Sequence, residues 1–581
     1  MSERRIPPVA ISETTTLATK TGSWKYIRPV YRDRVAPCNA GCPVGIDIEG
    51  YLNLLREGRW DEARDLLLLE NPLPAVTGRV CHHPCEISCN RGRFDEPVAI
   101  HAVERMLGDY ALEHPPAEAA PSQRPGEVGI VGAGPAGLAC AYHLARLGYG
   151  VTVFDAASEP GGMLRLGIPE YRLPRRVLDG EIERIRAHGV SFQCGVRIGQ
   201  DISWRCFIGM FDAVFVATGA HVGRELGVEN EGVAGVRAGL DFLKAVNRGE
   251  RPDIGRRVVV VGGGNTAMDC ARTALRLGAE TTVLYRRTRT EMPAITEEII
   301  EAEREGARLV FLAAPAKFHA RDGRLCAVEC VRMRLGDPDA DGRRRPIPIP
   351  DDRFTIEADT VLAAIGESAD LSGLPAELAR EEAGVAVDAV GATSRVPVFA
   401  GGDVTNQPRA VADAIGAGKR AAVGIDRSFR HMSDGGSDGE GLLPYRFATG
   451  NVSLARWRQA DPVPRINSRN EVVPFDDLNV HHFRRVRRHH DERLGLAESR
   501  SGFAEVNRGL ARDDAVSEAL RCFNCGVCNR CDLCLILCPD VAISRRDDGG
   551  GYDIALDYCK GCGVCAEECP RGVLTMTREG L

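Results

Sequence analysis

No run of about eighteen apolar residues occurs in this 581-residue chain, which excludes a membrane-spanning helix. The N-terminus is rich in Arg, Pro and Thr and lacks the apolar stretch of a secretory signal, so the expected location is the cytoplasm. Excess positive charge is also missing. The formal net charge is -7 and the pI about 6.1, leaving no global basic field to attract nucleic acid or an anionic membrane. The local run Arg484, Arg485, Arg487, Arg488, His489, His490 reads as a solvated helix face. Coiled-coil heptads are absent, so oligomeric state is left open. What the chain does have is 44% hydrophobic residues, enough for about three or four domains with real cores.

It also has 21 cysteines, gathered at its two ends. In a long chain without a secretory signal, that clustering favours metal ligation over disulfides. Cys140, Cys194, Cys206, Cys270, Cys326 and Cys330 are scattered and read as small buried hydrophobes. Cys528, Cys531, Cys534 and Cys538 spell C-x-x-C-x-x-C-x-x-x-C-P, and Cys559, Cys562, Cys565 and Cys569 repeat it. This is the two-cluster bacterial ferredoxin pattern, in which the fourth cysteine of each run crosses to the other cluster. One 4Fe–4S cluster is therefore assigned to Cys528, Cys531, Cys534 and Cys569, the other to Cys559, Cys562, Cys565 and Cys538. Zinc ribbons also use C-x-x-C pairs, but they need neither the third cysteine nor the proline. The expected chemistry is single-electron transfer.

Two dinucleotide folds are legible between the cysteine-rich ends. An apolar run from Glu127 to Val131 enters Gly132-Ala133-Gly134-Pro135-Ala136-Gly137, then a helical pattern, then a strand ending in Asp155. Gly132 permits the tight turn, Gly134 lets a pyrophosphate approach the helix N-terminus, Gly137 allows helix and sheet to pack, and Asp155 would accept from a ribose. The pattern returns at Arg257–Val261 and Gly262-Gly263-Gly264-Asn265-Thr266-Ala267, but its second strand runs into Arg286 and Arg287. Guanidinium forks there suit the 2′-phosphate of NADPH; as surface arginines they would leave NADH as the substrate.

Farther on, Val398-Phe399-Ala400-Gly401-Gly402-Asp403 precedes a helical stretch that contains Ala412. This element resembles the one that closes the FAD site in flavoprotein disulfide reductases. Ala217-Thr218-Gly219-Ala220 and Ala363-Ala364-Ile365-Gly366 resemble the two strand-to-loop crossings of that class. Together they imply an FAD domain with an inserted NAD(P)H domain, in which positioning matters more than an acid or base. No catalytic triad is expected.

Cys38-Asn39-Ala40-Gly41-Cys42-Pro43, Asn71-Pro72-Leu73-Pro74, Gly78-Arg79-Val80-Cys81, Pro84-Cys85-Glu86 and Cys89 resemble the N-terminal helical iron–sulfur domain of the glutamate synthase small subunit family. Dihydropyrimidine dehydrogenase shares that domain. The likeness continues through Gly161-Gly162-Met163-Leu164, Gly167-Ile168-Pro169, Tyr171-Arg172-Leu173-Pro174 and Tyr285-Arg286-Arg287, and covers about residues 36 to 425. It implies that Gly162, Met163 and Arg165 contribute to cofactor binding. It also implies that Cys42, Cys81 and Cys85 ligate a cluster, with Glu104 on the next helix as fourth ligand. Cys38 and Cys89 match ligands of a second cluster, whose other two cysteines are missing from Val30–Pro37. Either could instead be the fourth ligand of the first cluster or remain a free thiol. One N-terminal cluster is thus expected, and three in all. Cys522 and Cys525 read as spare ligands, a redox pair or packing residues.

The expected architecture is α/β: a helical iron–sulfur domain (1–125), an FAD domain in two parts (126–249 and 358–430), an inserted NAD(P)H domain (250–357), a linker (431–515) and an α+β ferredoxin domain (516–581). Ser433–Gly441 reads as flexible, and Val463–Asp491 as able to fold onto something. The expected function is an NAD(P)H:acceptor oxidoreductase passing electrons through FAD and clusters to or from a partner protein. Resemblance and module order, with Thr21-Gly22-Ser23-Trp24, lean towards a dissimilatory sulfite reductase partner; 2-oxoacid and aryl-CoA oxidoreductases are the other systems. The alternative is a glutamate synthase small subunit, against which the ferredoxin tail counts. A self-contained reductase would need a further barrel of about 200 residues, for which 430–515 is too short. An oxygen sensor would not need the NADPH site.

Overall fold

The computed structural model describes residues 22, 26–32, 34–117, 123–339, 342–381, 384–406, 408–433 and 471–579. The proposed flexible stretch beyond Ser433 and most of Thr21–Trp24 lie outside them.

Each glycine turn sits at the end of a central strand of a five-stranded parallel sheet. The first sheet runs Val398–Ala400, Ala213–Val216, Glu127–Val131, Gly150–Asp155, Ser191–Cys194. The second runs Arg308–Phe311, Glu280–Tyr285, Arg257–Val261, Thr360–Ala363, Val236–Ala238. Inner strands such as Ala213–Val216 are wholly buried, which is why they read as unbroken apolar runs. On the first sheet, helix Pro135–Leu147 begins with proline in its first turn and ends at Gly148. Helix Val411–Ser433 lies directly on it, since a Cβ at Gly418 would fall 2.1 Å from the Ala136 carbonyl oxygen.

The second sheet reaches beyond the span 250–357. Val236–Ala238 and Thr360–Ala363 both belong to it, although the sequence assigns them to the FAD domain. A three-residue strand carries no period, and a short buried run does not reveal which sheet it joins. The crossings between the domains pair as a ribbon, Val222–Gly223 against Glu367–Ser368.

In the N-terminal domain, helices Pro74–Val80 and Ile100–Glu113 cross with their backbones in contact. A Cβ at Gly108 would lie 2.3 Å from Ala75 N, and one at Gly78 would lie 2.4 Å from Arg105 Cα. That crossing brings Cys81, at the end of one helix, beside Glu104 on the other.

The ferredoxin module carries two short helices, Leu533–Ile536 and Val564–Glu567, and a hairpin of Ile543–Arg545 with Tyr552–Ile554. Its last strand, Leu574–Arg578, pairs antiparallel with Ile27–Tyr31 from the far end of the chain. The first strand thus belongs to the ferredoxin sheet and not to the helical domain. Residues 471–515, read as a linker, are a strap across three domains. Arg488 pairs with Glu86 (2.7 Å), Glu505 with Arg79 (2.7 Å), Arg493 with Glu301 (2.5 Å), and Val506 N donates to Tyr171 O (3.0 Å).

Candidate redox sites

Gly132 sits at φ 110°, and any Cβ there would strike the Ala217 carbonyl oxygen at 2.3 Å. Gly137 is equally tight against the Gly132 oxygen, at 1.8 Å, whereas Gly134 would meet only Gly162 Cα, at 4.0 Å. Bare backbone therefore faces a groove at the start of helix Pro135–Leu147, where unpaired N–H groups favour a diphosphate. Gly162 (φ 52°) forms the other wall and precedes the short helix of Met163. Across the turn, Thr218 Oγ1 is buried without a hydrogen-bond partner, and Gly219 (φ 71°) follows it. An orphaned hydroxyl beside an open glycine cradle fits a bound dinucleotide. Gly402 closes the groove against Ala136, with Ala412 buried on the next helix. Burial pushes Asp403 up to about 6; Arg409 opposes the rise, and Glu367 and Asp413 add to it.

Asp155 and Arg165 are more committed than the sequence implies. The Asp155 carboxylate accepts from Ala133 N (2.7 Å) and Ala157 N (2.8 Å), so it shapes the glycine turn as well as facing the groove. Arg165 Nε donates to the Pro160 carbonyl (2.7 Å), and its guanidinium is paired with Asp179. This arginine holds its loop rather than standing free for a phosphate.

In the second turn, a Cβ at Gly262 would meet the Ala364 carbonyl oxygen at 2.1 Å, while Gly264 faces open space. Asn265 Oδ1 accepts from Ile295 N (3.0 Å), fixing the helix start, and Ala267 is fully buried. Thr266 opposes the burial that pushes Glu367 up. Glu367 follows Gly366 (φ 110°), so the crossing ribbon reaches the nucleotide turn.

The two arginines part company. Arg287 is buried, its Nε on the Arg344 carbonyl (2.8 Å) and its Nη2 on Asp339 (2.5 Å), so the expectation that both guanidiniums stand free for a phosphate is corrected for Arg287. Asp339 lies 52 residues away, beyond any local pattern. Arg286 is exposed and has no ion pair among the described residues. Arg286→Ala should weaken NADPH binding about tenfold or more and spare NADH, the value of a charge-assisted hydrogen bond. Titration of both nucleotides checks this, and equal losses would remove the phosphate role. Arg287→Ala should instead lower stability and affect both nucleotides alike.

In the helical domain, Cys42, Cys81, Cys85 and Glu104 lie within electrostatic range of one another. Burial pushes the Cys42 thiol up to about 11, against backbone N–H groups of Ile46, Val44 and Gly45 that face its sulfur. The His83 N–H donates to Cys81 Sγ (3.4 Å). Glu104 Oε1 accepts from Asn71 Nδ2 (2.9 Å) and Thr77 Oγ1 (2.5 Å), which leaves Oε2 for a metal. Tyr51 Oη and His83 Nε2 are buried nearby without partners. N–H donors aimed at sulfur in an apolar pocket fit a thiolate-ligated cluster, whose charge the thiol alone could not sustain there. Helix Val411–Ser433 abuts this set, since a Cβ at Gly416 would lie 2.3 Å from Pro43 O. Cys38 faces Cys89, Cys522 and Cys525 instead.

The ferredoxin cysteines gather in one module, where the two sets also meet, Cys565 lying within range of Cys534. Cys534 senses Cys528, Cys531 and Cys569, while Cys565 senses Cys559, Cys538 and Cys562. A cavity is lined by Cys538, Cys559, Cys562 and Cys565, and the Tyr31 hydroxyl lies 3.1 Å from Cys534 Sγ. Among the described residues no three His, Cys, Asp or Glu side chains converge on a single-ion position. Sulfurs bound to separate irons stand farther apart than sulfurs sharing one zinc.

Two nucleotide folds joined by a crossing ribbon, with a cluster-ligand set against one and a ferredoxin module beyond, define an FAD- and iron–sulfur-dependent NAD(P)H oxidoreductase. The pyridine nucleotide-disulphide oxidoreductase family matches residues 126–418, and the chain belongs to it. Residues 31–115 match dihydropyrimidine dehydrogenase domain II with its 4Fe-4S cluster, and 552–575 a 4Fe-4S binding domain. Among curated proteins it is similar to the NADP(+)-dependent formate dehydrogenase subunit beta of Moorella thermoacetica, 39% identical over 84% of this chain and 70% of the relative. The NADPH-Fe(3+) oxidoreductase subunit beta of Geobacter sulfurreducens is 41% identical over 84% of this chain and 75% of the relative. The glutamate synthase [NADPH] small chain of Escherichia coli is 36% identical, over 67% of this chain and 87% of the relative. These relatives are named as parts of larger assemblies. Among the described residues no helix is long and apolar enough to cross a membrane.

Proposed function

We propose that this chain is the NADPH-linked subunit of a larger redox system and exchanges electrons with its partner at the ferredoxin end. When bound, FAD supplies the conversion between a two-electron hydride and single electrons. The chain's own residues position it: the Gly132–Gly137 and Gly262–Ala267 turns hold two dinucleotides, and the ribbon at Gly366 fixes the domains that carry them. The observation that carries the reading is the exposed ferredoxin rim. Cys531 and Cys562 reach the surface, and Ile536 (69% exposed) and Val541 (80%), on either side of Cys538 in the chain, are exposed in the same module. Apolar side chains around exposed cluster ligands are what a docking redox protein needs.

A dissimilatory sulfite reductase, or a 2-oxoacid or aryl-CoA oxidoreductase, is the class of partner proposed. The test is an anaerobic titration with NADPH and, separately, NADH, following flavin bleaching by absorbance and clusters by EPR. Rapid bleaching followed by cluster signals supports flow from NADPH to the rim. Bleaching with clusters left oxidised would reverse it, with electrons arriving from a low-potential partner. A flavin that neither nucleotide bleaches would sink the reading.

A further inference from the structure

Cys522 and Cys525 follow helix Arg512–Arg521 and lie more than four hundred residues from Cys38 and Cys89, yet the fold brings all four together, with Cys89 half-buried and the others buried. Cys38, Cys522 and Cys525 share a single apolar core, with Cys89 packed against it. The loop is clamped there by residues flanking the N-terminal cysteines. Asn90, next to Cys89, donates through Nδ2 towards Cys525 Sγ (3.7 Å) and to the Val473 carbonyl (3.0 Å). Asn524 Nδ2 donates to Glu49 Oε1 (2.8 Å), and the Glu49 N–H donates to Asn39 Oδ1 (3.1 Å), beside Cys38. Arg56 reaches Asn524, Arg91 reaches the Arg521 carbonyl, and Phe523 packs on Phe483 with ring centroids 4.2 Å apart.

The backbone of this loop repeats that of the ferredoxin loops. In Cys528–Cys531 the third residue, Arg530, and the residue after the pair, Asp532, have φ of 59° and 64°; in Cys559–Cys562, Gly561 and Gly563 have 73° and 84°. Asn524 and Gly526 occupy the same places with 51° and 77°. Left-handed residues at both positions are uncommon outside glycine, so their recurrence has a shared cause. They curl the chain around a sulfur and turn N–H groups towards it. Asn524 N donates to Cys522 Sγ (3.3 Å), and N–H groups of Val98, Arg91 and Gly92 face Cys89. A packing role would not require donors aimed at sulfur, and a redox pair would leave Cys38 and Cys89 unexplained.

We propose that Cys38, Cys89, Cys522 and Cys525 ligate a further 4Fe–4S cluster, so that the chain holds four clusters and not three. The C-x-x-C loop from the C-terminal region takes the place left by the cysteines missing from Val30–Pro37. The site lies between its neighbours along the chain: Cys38 and Cys89 are each four residues from Cys42 and Cys85, and Cys525 is three from Cys528. It thus joins the set beside the FAD-domain helix to the ferredoxin module. Only this place in the route rests on the proposed function; the site itself does not.

Full-length protein purified without oxygen should contain about sixteen irons per FAD, where three clusters would give about twelve. Cys522→Ser/Cys525→Ser, and independently Cys38→Ser, should each lose about four irons and the same EPR signal while NADPH still bleaches the flavin. Variants that keep all iron and every signal would overturn the proposal. So would about twelve irons in the wild type, or a Cys522–Cys525 disulfide recovered by mass spectrometry from the iron-replete wild type; neither depends on a variant folding. If the flow reading alone is wrong, the iron count stays near sixteen while NADPH leaves the clusters oxidised.

Discussion

Serine at Cys562 should leave NADPH-dependent bleaching of the flavin unchanged and lower reduction of a one-electron acceptor protein by about a hundredfold or more. Loss of a residue that merely supports a metal ligand costs about 10–100-fold, and loss of the ligand itself costs at least that. Cys562 belongs with Cys559, Cys565 and Cys538 around the cavity at the surface end of the module. It is exposed, so serine there opens no core void. It lies in the loop before helix Val564–Glu567, in a module whose strands pair with one another and with Ile27–Tyr31. Stopped-flow absorbance separates the two halves of the reaction, provided that the acceptor is a protein too large to reach the flavin directly. Unimpaired transfer would mean that electrons leave by another route, and would remove the exposed rim as the exit.

How much of this was legible in the sequence depended on distance along the chain. The α/β class, the two glycine turns and the ferredoxin repeat each occupy a few tens of residues, and their chemistry dictates their spacing. Gly137 must be bare because Gly132 O lies where its Cβ would be, and a short motif records that. The expectation of a cluster crossover is equally local, since Cys538 and Cys569 end runs of fixed length. Arg287 was misjudged because its partner, Asp339, sits on a hairpin that no period announces. Cys38 and Cys89 looked like remnants because nothing near them completes a set, and the C-x-x-C that meets them comes from beyond the strap. The strap itself read as a linker because its apolar anchors, such as Val473, Leu478 and Phe483, are scattered without a helix or strand period, and its other contacts include ion pairs to other domains, such as Arg488 to Glu86 and Arg493 to Glu301. Such pairs leave no hydrophobic stripe to read.

Replacing Glu305 by alanine should destabilise the protein by about 3–5 kcal/mol, the cost of removing one partner of a buried ion pair. Its side chain is 0% exposed and grips two guanidiniums at once: Arg272 through Nε (3.0 Å) and Nη2 (2.7 Å), and Arg276 through Nη1 (2.6 Å) and Nη2 (2.8 Å). Both arginines lie over the ring of Tyr171, at 4.7 and 3.8 Å from its centroid. Next to Tyr171, Arg172 pairs with Asp269 (2.8 Å) and Glu298 (3.1 Å). Tyr171 and Arg172 come from the FAD-domain side, and the other groups from helices Asn265–Arg276 and Thr296–Glu305. This network therefore fixes the helix whose first turn is the second nucleotide cradle. Without Glu305 the two cations keep the Tyr171 ring, Glu298 and backbone carbonyls, with their side chains at most 2% exposed. Burial alone would raise the Glu305 pKa, but Arg276 and Arg272 together hold it below the usual carboxylate range. A depressed folded pKa contributes stability above the unfolded value, about 4.3, and loses it as pH falls through the folded value. The gap in urea midpoint between wild type and Glu305→Ala should be widest near pH 7 and close progressively in acid. A gap that does not change with pH would mean that the loss is one of packing, and coincident midpoints at pH 7 would mean that the arginines find other partners.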